Sequence, residues 1–250
     1  MTFNPTVLLG CNIYLDGADL TGFSNKAEFG ATANKLTRTT FGDSGSNTYV
    51  GGLFDGKADC DGFFQAGDLS MPDDAWWNAL SSPNIALTML SASTGAAGDL
   101  AYLTRGQVTS YQPGAKVGEL LAWSSSMATN WPDVRGKILH PQGTARTASG
   151  NGTGVQLGAV SASQRMYANL HVLSISGTST PTITVTVQSD TSNAFSAPNT
   201  RISFNAATAL GGQTGSALGA ITDTWWRVTW TITGATPSFL FAVSAGIGPK

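Results

Sequence analysis

The residues with chemistry to offer are few and widely spaced. Gly42-Asp43-Ser44-Gly45 has the form of a loop that presents a serine nucleophile. Such a serine needs a base, and the enzymes with that loop place His and Asp ahead of the Ser in the chain. Here no His precedes Ser44, and Ser46 stands where a second Gly belongs, so the tetrad reads as turn residues. His140 and His171 lie at no metal-ligand spacing from another His, Cys or acid. His171 falls opposite the apolar positions of its strand, which points to a solvent or interface position. Asp59 and Asp61 share one strand face, but the ligand number and loop spacing of a calcium site are absent, and two solvated carboxylates fit better. Asp73 and Asp74 have a reading as paired catalytic acids and a simpler one as the first turn of a helix, where its dipole favours negative charge. Gly150-Asn151-Gly152-Thr153-Gly154 precedes no helix, so a phosphate cradle is unsupported. Its Asn-Gly-Thr sequon matters only in a secreted chain. The expectation is a protein without catalytic, metal or cofactor residues, with a hydrolase the last choice.

The composition asks for a different use of the surface. Hydrophobic residues make up 41% of the 250, enough for a substantial core, while charged residues make up only 11%. Charge is depleted where surface is covered by neighbours, so a chain packed among copies of itself suits these numbers. Net charge is −2, which leaves no basic footprint for nucleic acid. Residues 1–144 hold 13 acids and 8 bases; residues 145–250 hold 2 acids and 5 bases. That shift supports two modules with different neighbours. Cys11 and Cys60 fall on alternating apolar faces and read as buried thiols, with no disulfide demanded. The first ten residues show neither a basic leader nor a long apolar run, so no signal peptide or membrane span is expected.

Period-two alternation dominates the chain. Val7 to Leu15 is a strand candidate closed by Asp16-Gly17, and Leu20 to Phe29 a second, interrupted at Gly22. Ala31 to Lys35 reads as a bend. From Thr39 to Phe64 two strands flank a long polar loop, about Lys35 to Gly56, with a β-prone island at Thr48-Tyr49-Val50. In the second strand Ala58, Cys60, Gly62 and Phe64 alternate with Lys57, Asp59, Asp61 and Phe63. Residues 70–81 form the best helix signal: Ser70 as cap, Asp73 and Asp74 in the first turn, Trp76 and Leu80 on one face, Pro83 beyond. Strands follow at Ile85–Leu90, Leu100–Thr104, Gln107–Tyr111, Gly118–Trp123 and Val134–Leu139. Residues 141–154 hold almost no large apolar side chain and read as a linker. Beyond them Met166–Ile175, Thr182–Val187, Arg201–Phe204, Trp225–Thr233 and Ser238–Ala245 indicate a sandwich or jelly-roll-like domain. Trp226, Val228 and Trp230 belong to its core; Trp225 points outward and is the one aromatic placed to stack on a sugar ring.

The order Leu20-Thr21-Gly22-Phe23-Ser24-Asn25, Thr39-Thr40-Phe41-Gly42-Asp43, Tyr49, Gly51-Gly52-Leu53, Asp55-Gly56 and Gly62-Phe63 resembles the N-terminal half of tail tube (major tail) proteins of long-tailed bacteriophages. Gly118-Glu119 to Val134-Arg135-Gly136 is similar to later strands of the same domain, so the resemblance spans roughly residues 7–140. It implies a mainly β fold: a tail-tube-like β-sandwich or barrel over 1–140 with one short helix, then a linker at 141–154. An appended C-terminal β-sandwich over 155–250 is a departure from the family. It also implies a virion protein assembled in the host cytoplasm, in rings, hexameric in that family, stacked into a tube. A tape measure protein and the tail-end proteins would be neighbours. DNA would slide through an acidic lumen without specific binding, as the acidic N-terminal module fits. No cofactor or membrane anchor is implied. The subunit contact is expected on residues 35–56, with Phe41, Tyr49 and Leu53. A capsid or tail decoration protein, or a glycan-binding module using Trp225, is the alternative.

Overall fold

A computed structural model describes residues 10–91 and 95–250, apart from the side chains of residues 51–54. The N-terminal strands are β1 (Asn12–Leu15), β2 (Ala18–Asp19), β3 (Ser24–Thr37) and β4 (Tyr49–Phe63). Helix α1 (Pro72–Ala79) follows, then β5 (Ile85–Leu90), β6 (Leu100–Gly114), β7 (Ala122–Thr129) and β8 (Val134–His140). The remainder is β9 (Gly150–Asn151), β10 (Val155–Gln156), β11 (Gln164–Asp190), β12 (Asn199–Ser203), β13 (Gly211–Leu218) and β14 (Trp225–Pro249). The fold is mainly β with one short α-helix among the described residues, as the sequence patterning predicts. That helix is too short to cross a membrane.

In the N-terminal half, neighbouring strands run antiparallel in the order β2-β1-β5-β6-β7-β4-β3. Ile13, Leu15, Leu87, Val108, Cys60, Trp123 and Met127 share one buried cluster with Trp76 of α1. Strands from both ends of this order therefore meet in one core, with the helix closing it. Trp76 and Trp123 pack 5.6 Å apart. Both cysteines are free thiols: Cys60 lies in the cluster and Cys11 packs against it. Residues 7–9 of the first strand candidate lie outside the described residues.

The second half is organised by one long ladder. β11 and β14 pair antiparallel from Gln164↔Pro249 to Asp190↔Trp225, with register breaks between Ser176 and Thr182. There the ladder turns a corner. Gly177 (φ 131°), Ser179, Thr180, Gly234 (φ 112°) and Thr236 all take positive φ. A Cβ at Gly234 would come within 2.8 Å of Pro181, so glycine permits the close approach. The two arms fold onto each other: Leu170 and Val172 of one arm share a core with Val185 and Val187 of the other, with Trp226, Trp230, Phe239 and Phe241 from β14. The expected alternations at 166–172 and 183–187 are these inward faces. The stretch 141–154, read from sequence as a linker, lies along β14: Arg146 bridges Phe239, β9 pairs Thr229 and Trp230, and Trp230 donates to Ala148 O at 2.9 Å.

The halves share a sheet. β8 pairs β6 on one edge and β14 on the other. Where β11 and β14 meet β5, the residues facing away from the apolar core form a polar seam. His171 sits between Asp16 O (2.7 Å) and Thr88 Oγ1 (2.8 Å), and Thr88 bonds Ser244 at 2.9 Å. Asn169 donates to Leu87 O and Thr104 O. His171 is thus at an interface, one internal to the chain. All six residues of β5 are buried because one face serves the N-terminal core and the other this seam.

Three expectations are corrected. The helix runs from Pro72 to Ala79 with Met71 at the cap, and the Ser70 hydroxyl donates to Asp68 instead of capping. Asp73 accepts from Tyr111 and Asp74 from the Gly67 N–H, so the acid pair fastens the helix start to its surroundings. The supposed bend at 31–35 is the middle of β3, and pairing continues to Thr37↔Tyr49, so the long loop shrinks to residues 38–48. The strand expected at Gly118–Trp123 begins instead at Ala122 and extends to Thr129 through a serine run.

Candidate subunit interface

The β3–β4 hairpin has two parts with different surroundings. At its base, β4 pairs β7 from Lys57↔Ala128 to Phe63↔Ala122 while β3 covers its other edge. Inward residues Ala58, Cys60 and Gly62 are buried there, with Ala27 and Phe29 half-buried. The outward residues are charged and paired: Lys26 lies 3.4 Å from Glu28 on its own strand and 3.6 Å from Asp61 across the hairpin, and Lys57 lies 2.8 Å from Asp59 along β4. Burial opposes ionisation of Asp59, yet hydrogen bonds from Lys57 and Ser126 hold it below the usual carboxylate range. Asp59 and Asp61 are therefore ion-pair partners of lysines.

Gly56 marks the departure point. A Cβ there would fall 2.1 Å from Thr129 Oγ1. Beside it the Asp133 carboxylate lies with both oxygens shielded from water and Thr104 as its nearest hydroxyl support. Burial, offset only in part by Thr104, raises its pKa to about 6.

Beyond Gly56 the hairpin stands alone. From Ala31↔Gly56 to Thr37↔Tyr49 the two strands pair only with each other, and every residue from Gly30 to Thr40 is exposed. At ~3.4 Å per residue the arm projects roughly 20 Å. Among the described residues no strand pairs the outer edge of β3 along Ser24–Thr37. A two-stranded ribbon of this kind is marginal in water, and a long open edge is a template for another strand.

The tip is built to hold its shape. Residues 41–43 form a 3-10 turn, with Ser44 and Gly45 in left-handed conformations. The Asp43 carboxylate accepts from Thr40 N (2.6 Å) and Thr40 Oγ1 (3.0 Å). The backbone bond, helped by the hydroxyl, holds Asp43 below the ordinary carboxylate range. Thr48 N–H donates to Thr39 Oγ1 and Arg38 N–H to Thr48 O. The Gly-Asp-Ser-Gly tetrad is thus the scaffold of this turn. It presents Phe41 fully to solvent (112%), and the strand ends leading into the turn expose Leu36 (60%), Tyr49 and Val50. Lys35 lies over the Tyr49 ring, 4.8 Å from its centre.

Of the residues expected at a subunit contact, the structure brings Phe41 and Tyr49 to this tip. Leu53 is on β4, and its side chain lies outside the described residues. Leu36 and Val50 were not singled out in the sequence. Trp225 is half-buried at the far end of the ladder, opposite Asp190 and beside Gln156, away from the hairpin. Among the described residues no group of three or more His, Cys, Asp or Glu is placed to hold a metal ion.

No protein-family model matches the sequence, and no curated protein matches it. Among solved structures the fold is similar to a component of a native gene transfer agent virion, at 12% identity and a TM-score of 0.42, over 51% of this chain and 95% of that one. It is similar to the SPP1 tail tube protein at 12% identity and a TM-score of 0.40, over 50% and 76%. It is also similar to the SPP1 Dit protein, a hub of the phage adsorption apparatus, at 12% identity and a TM-score of 0.37, over 95% and 99%. All three TM-scores fall below 0.5, too loose a likeness to decide fold or role.

Proposed function

We propose that this chain is a structural subunit of a bacteriophage-type tail, that it acts by self-association, and that it builds the wall of a tube without catalysing a reaction. One observation carries the reading: a two-stranded ribbon projects from a well-packed body with an open edge and an apolar, rigidly turned tip. Phe41 on a free monomer wets an entire aromatic ring. A Phe ring taken fully out of water contributes on the order of 2–3 kcal/mol, so the tip gains most when a neighbour covers it. The resemblance of residues 7–140 to tail tube proteins supports the choice of assembly, and the solved-structure likenesses add no weight. Rings of copies, six in that family, would pair the open β3 edge with a neighbour. The acidic N-terminal module would repel DNA passing through the lumen. The C-terminal ladder would stand outside the wall, with host-surface adhesion as its role.

The test is Phe41→Asp. The exposed position predicts a folded chain with an unchanged unfolding midpoint that forms no rings or tubes in negative-stain images. Normal tubes from this variant would refute the reading.

A further inference from the structure

A second apolar surface lies at the opposite end of β4 from the tip. Phe63 closes the strand beside Ala122, and the β6–β7 turn places Val117 (107%) and Leu120 (76%) in solvent with Leu121 next to them. Phe64 N–H bonds Leu121 O, and Asp73 N–H bonds Gln65 O, so the start of α1 belongs to the same pole. Two exposed apolar patches thus sit at the two ends of one strand.

Their charges differ in sign. The tip carries Lys35 and Arg38 against one acid, Asp43, whose hydrogen bonds from Thr40 favour its charged form, which leaves a net +1. The opposite pole carries Asp68, Asp73, Asp74 and Glu119 against Lys116. Asp68 is held below the ordinary carboxylate range by Ser70 and is charged at neutral pH. Tip against tip sets Lys35 and Arg38 against their equivalents, and pole against pole sets acids against acids. Tip against pole brings opposite charges together around two apolar centres.

We infer that the receptor for the hairpin tip is the Phe63–Val117–Leu120 pole of a second copy, so that subunits add head to tail along the β4 direction. This deepens the self-association proposed above and rests on it. A contact between two different patches does not close on itself as a two-fold pair does; it propagates into a filament unless its rotation closes a ring. The fifteen residues of β4 set the spacing. Fully extended they span ~48 Å, with the tip and pole turns lying beyond the strand's two ends.

The test uses two chains, each Cys11→Ser, with Cys60 left in its buried place. One carries Ser46→Cys at the tip and the other Ala115→Cys at the pole, neither being an apolar contact residue. Mild oxidation of the mixture is expected to give a disulfide-linked dimer that neither chain forms alone. Leu120→Asp is expected to abolish assembly as Phe41→Asp does, with the unfolding midpoint unmoved. Self-linking of the Ser46→Cys chain would show tip-to-tip contact and overturn the inference. So would a wild-type chain that assembles while the mixed cysteine chains stay unlinked. A wild-type chain that sediments only as a monomer would overturn the self-association beneath it.

Discussion

The seam around His171 and the arm beyond Gly56 are opposite solutions to placing residues against a surface. The seam buries polar groups and satisfies nearly all of them: His171 and Thr88 each have partners on a different strand. The arm leaves Phe41 and Leu36 largely in solvent and covers Tyr49 only with Lys35. The difference teaches where each contact is completed. Polar atoms sealed from water need bonds at once, so the seam is finished inside one molecule. Apolar atoms in water are tolerated singly but gain from cover, so the arm is finished by something else.

The contrast is sharpest for truncation. Trp226→Ala in the fully buried ladder core is expected to cost about 3–5 kcal/mol in denaturant unfolding. Leu36→Ala on the arm is expected to stay within about 0.5 kcal/mol while weakening assembly. A large stability loss from Leu36→Ala would mean the arm is packed within its own molecule.

Acid probes the seam next. Burial pushes the His171 pKa down from 6.5 to about 4, opposed in part by Asp16 O; burial, then Arg146, pushes His140 to about 4 as well. A base with a depressed folded pKa stays neutral in the fold while the unfolded chain takes up a proton. Stability is therefore full above about pH 6.5, falls as pH drops, and levels off below about 4, with His171 accounting for about 2–3 kcal/mol of the loss. Asp16 and Tyr14 are the titratable groups facing the ring. Unfolding midpoints flat between pH 7 and 4 would contradict a buried neutral imidazole.

Asp133, at the base of the arm, has the opposite sign. Its folded pKa is raised to about 6, so the fold loses stability as pH rises from about 4 to 6 and the loss persists above. The group is partly wetted, so Asp133→Asn is expected to gain only about 1–2 kcal/mol at pH 7–8 and to remove that slope. A destabilised variant would show that the charged carboxylate is better supported than its contact with Thr104 alone allows.

What the sequence made legible follows the same line between inside and outside. Alternation at 58–64 and 183–187 was readable because one face is buried and the other is less so; at 166–172 both faces are buried, and the alternation shows because one packs an apolar core and the other the polar seam. Residues 30–37 gave no such signal, since both faces of the arm meet solvent, and a strand without inside and outside reads as a bend. β13 escaped notice for a related reason: GGQTGSAL has no large side chain to mark a face, and its place is set by pairing with β11. The seam was only partly legible: His171 opposite the apolar set reads as a solvent or interface position, and its burial comes from Asp16 and Thr88, which are distant in sequence. At the tip Phe41 and Tyr49 stood out as aromatics among turn residues. The Asp43 carboxylate's work in the turn needed coordinates, because Gly-Asp-Ser-Gly serves a nucleophile or a turn equally well.

The central claim is that the arm exists to be covered by other copies. Sedimentation velocity over rising concentration tests it most directly, comparing the whole chain with one in which residues 32–55 are replaced by Asn-Gly. The account predicts that the whole chain grows into large particles while the shortened chain stays a folded monomer with the same unfolding midpoint. A whole chain that remains monomeric at every concentration, or a shortened chain that assembles as well as the whole one, would contradict it.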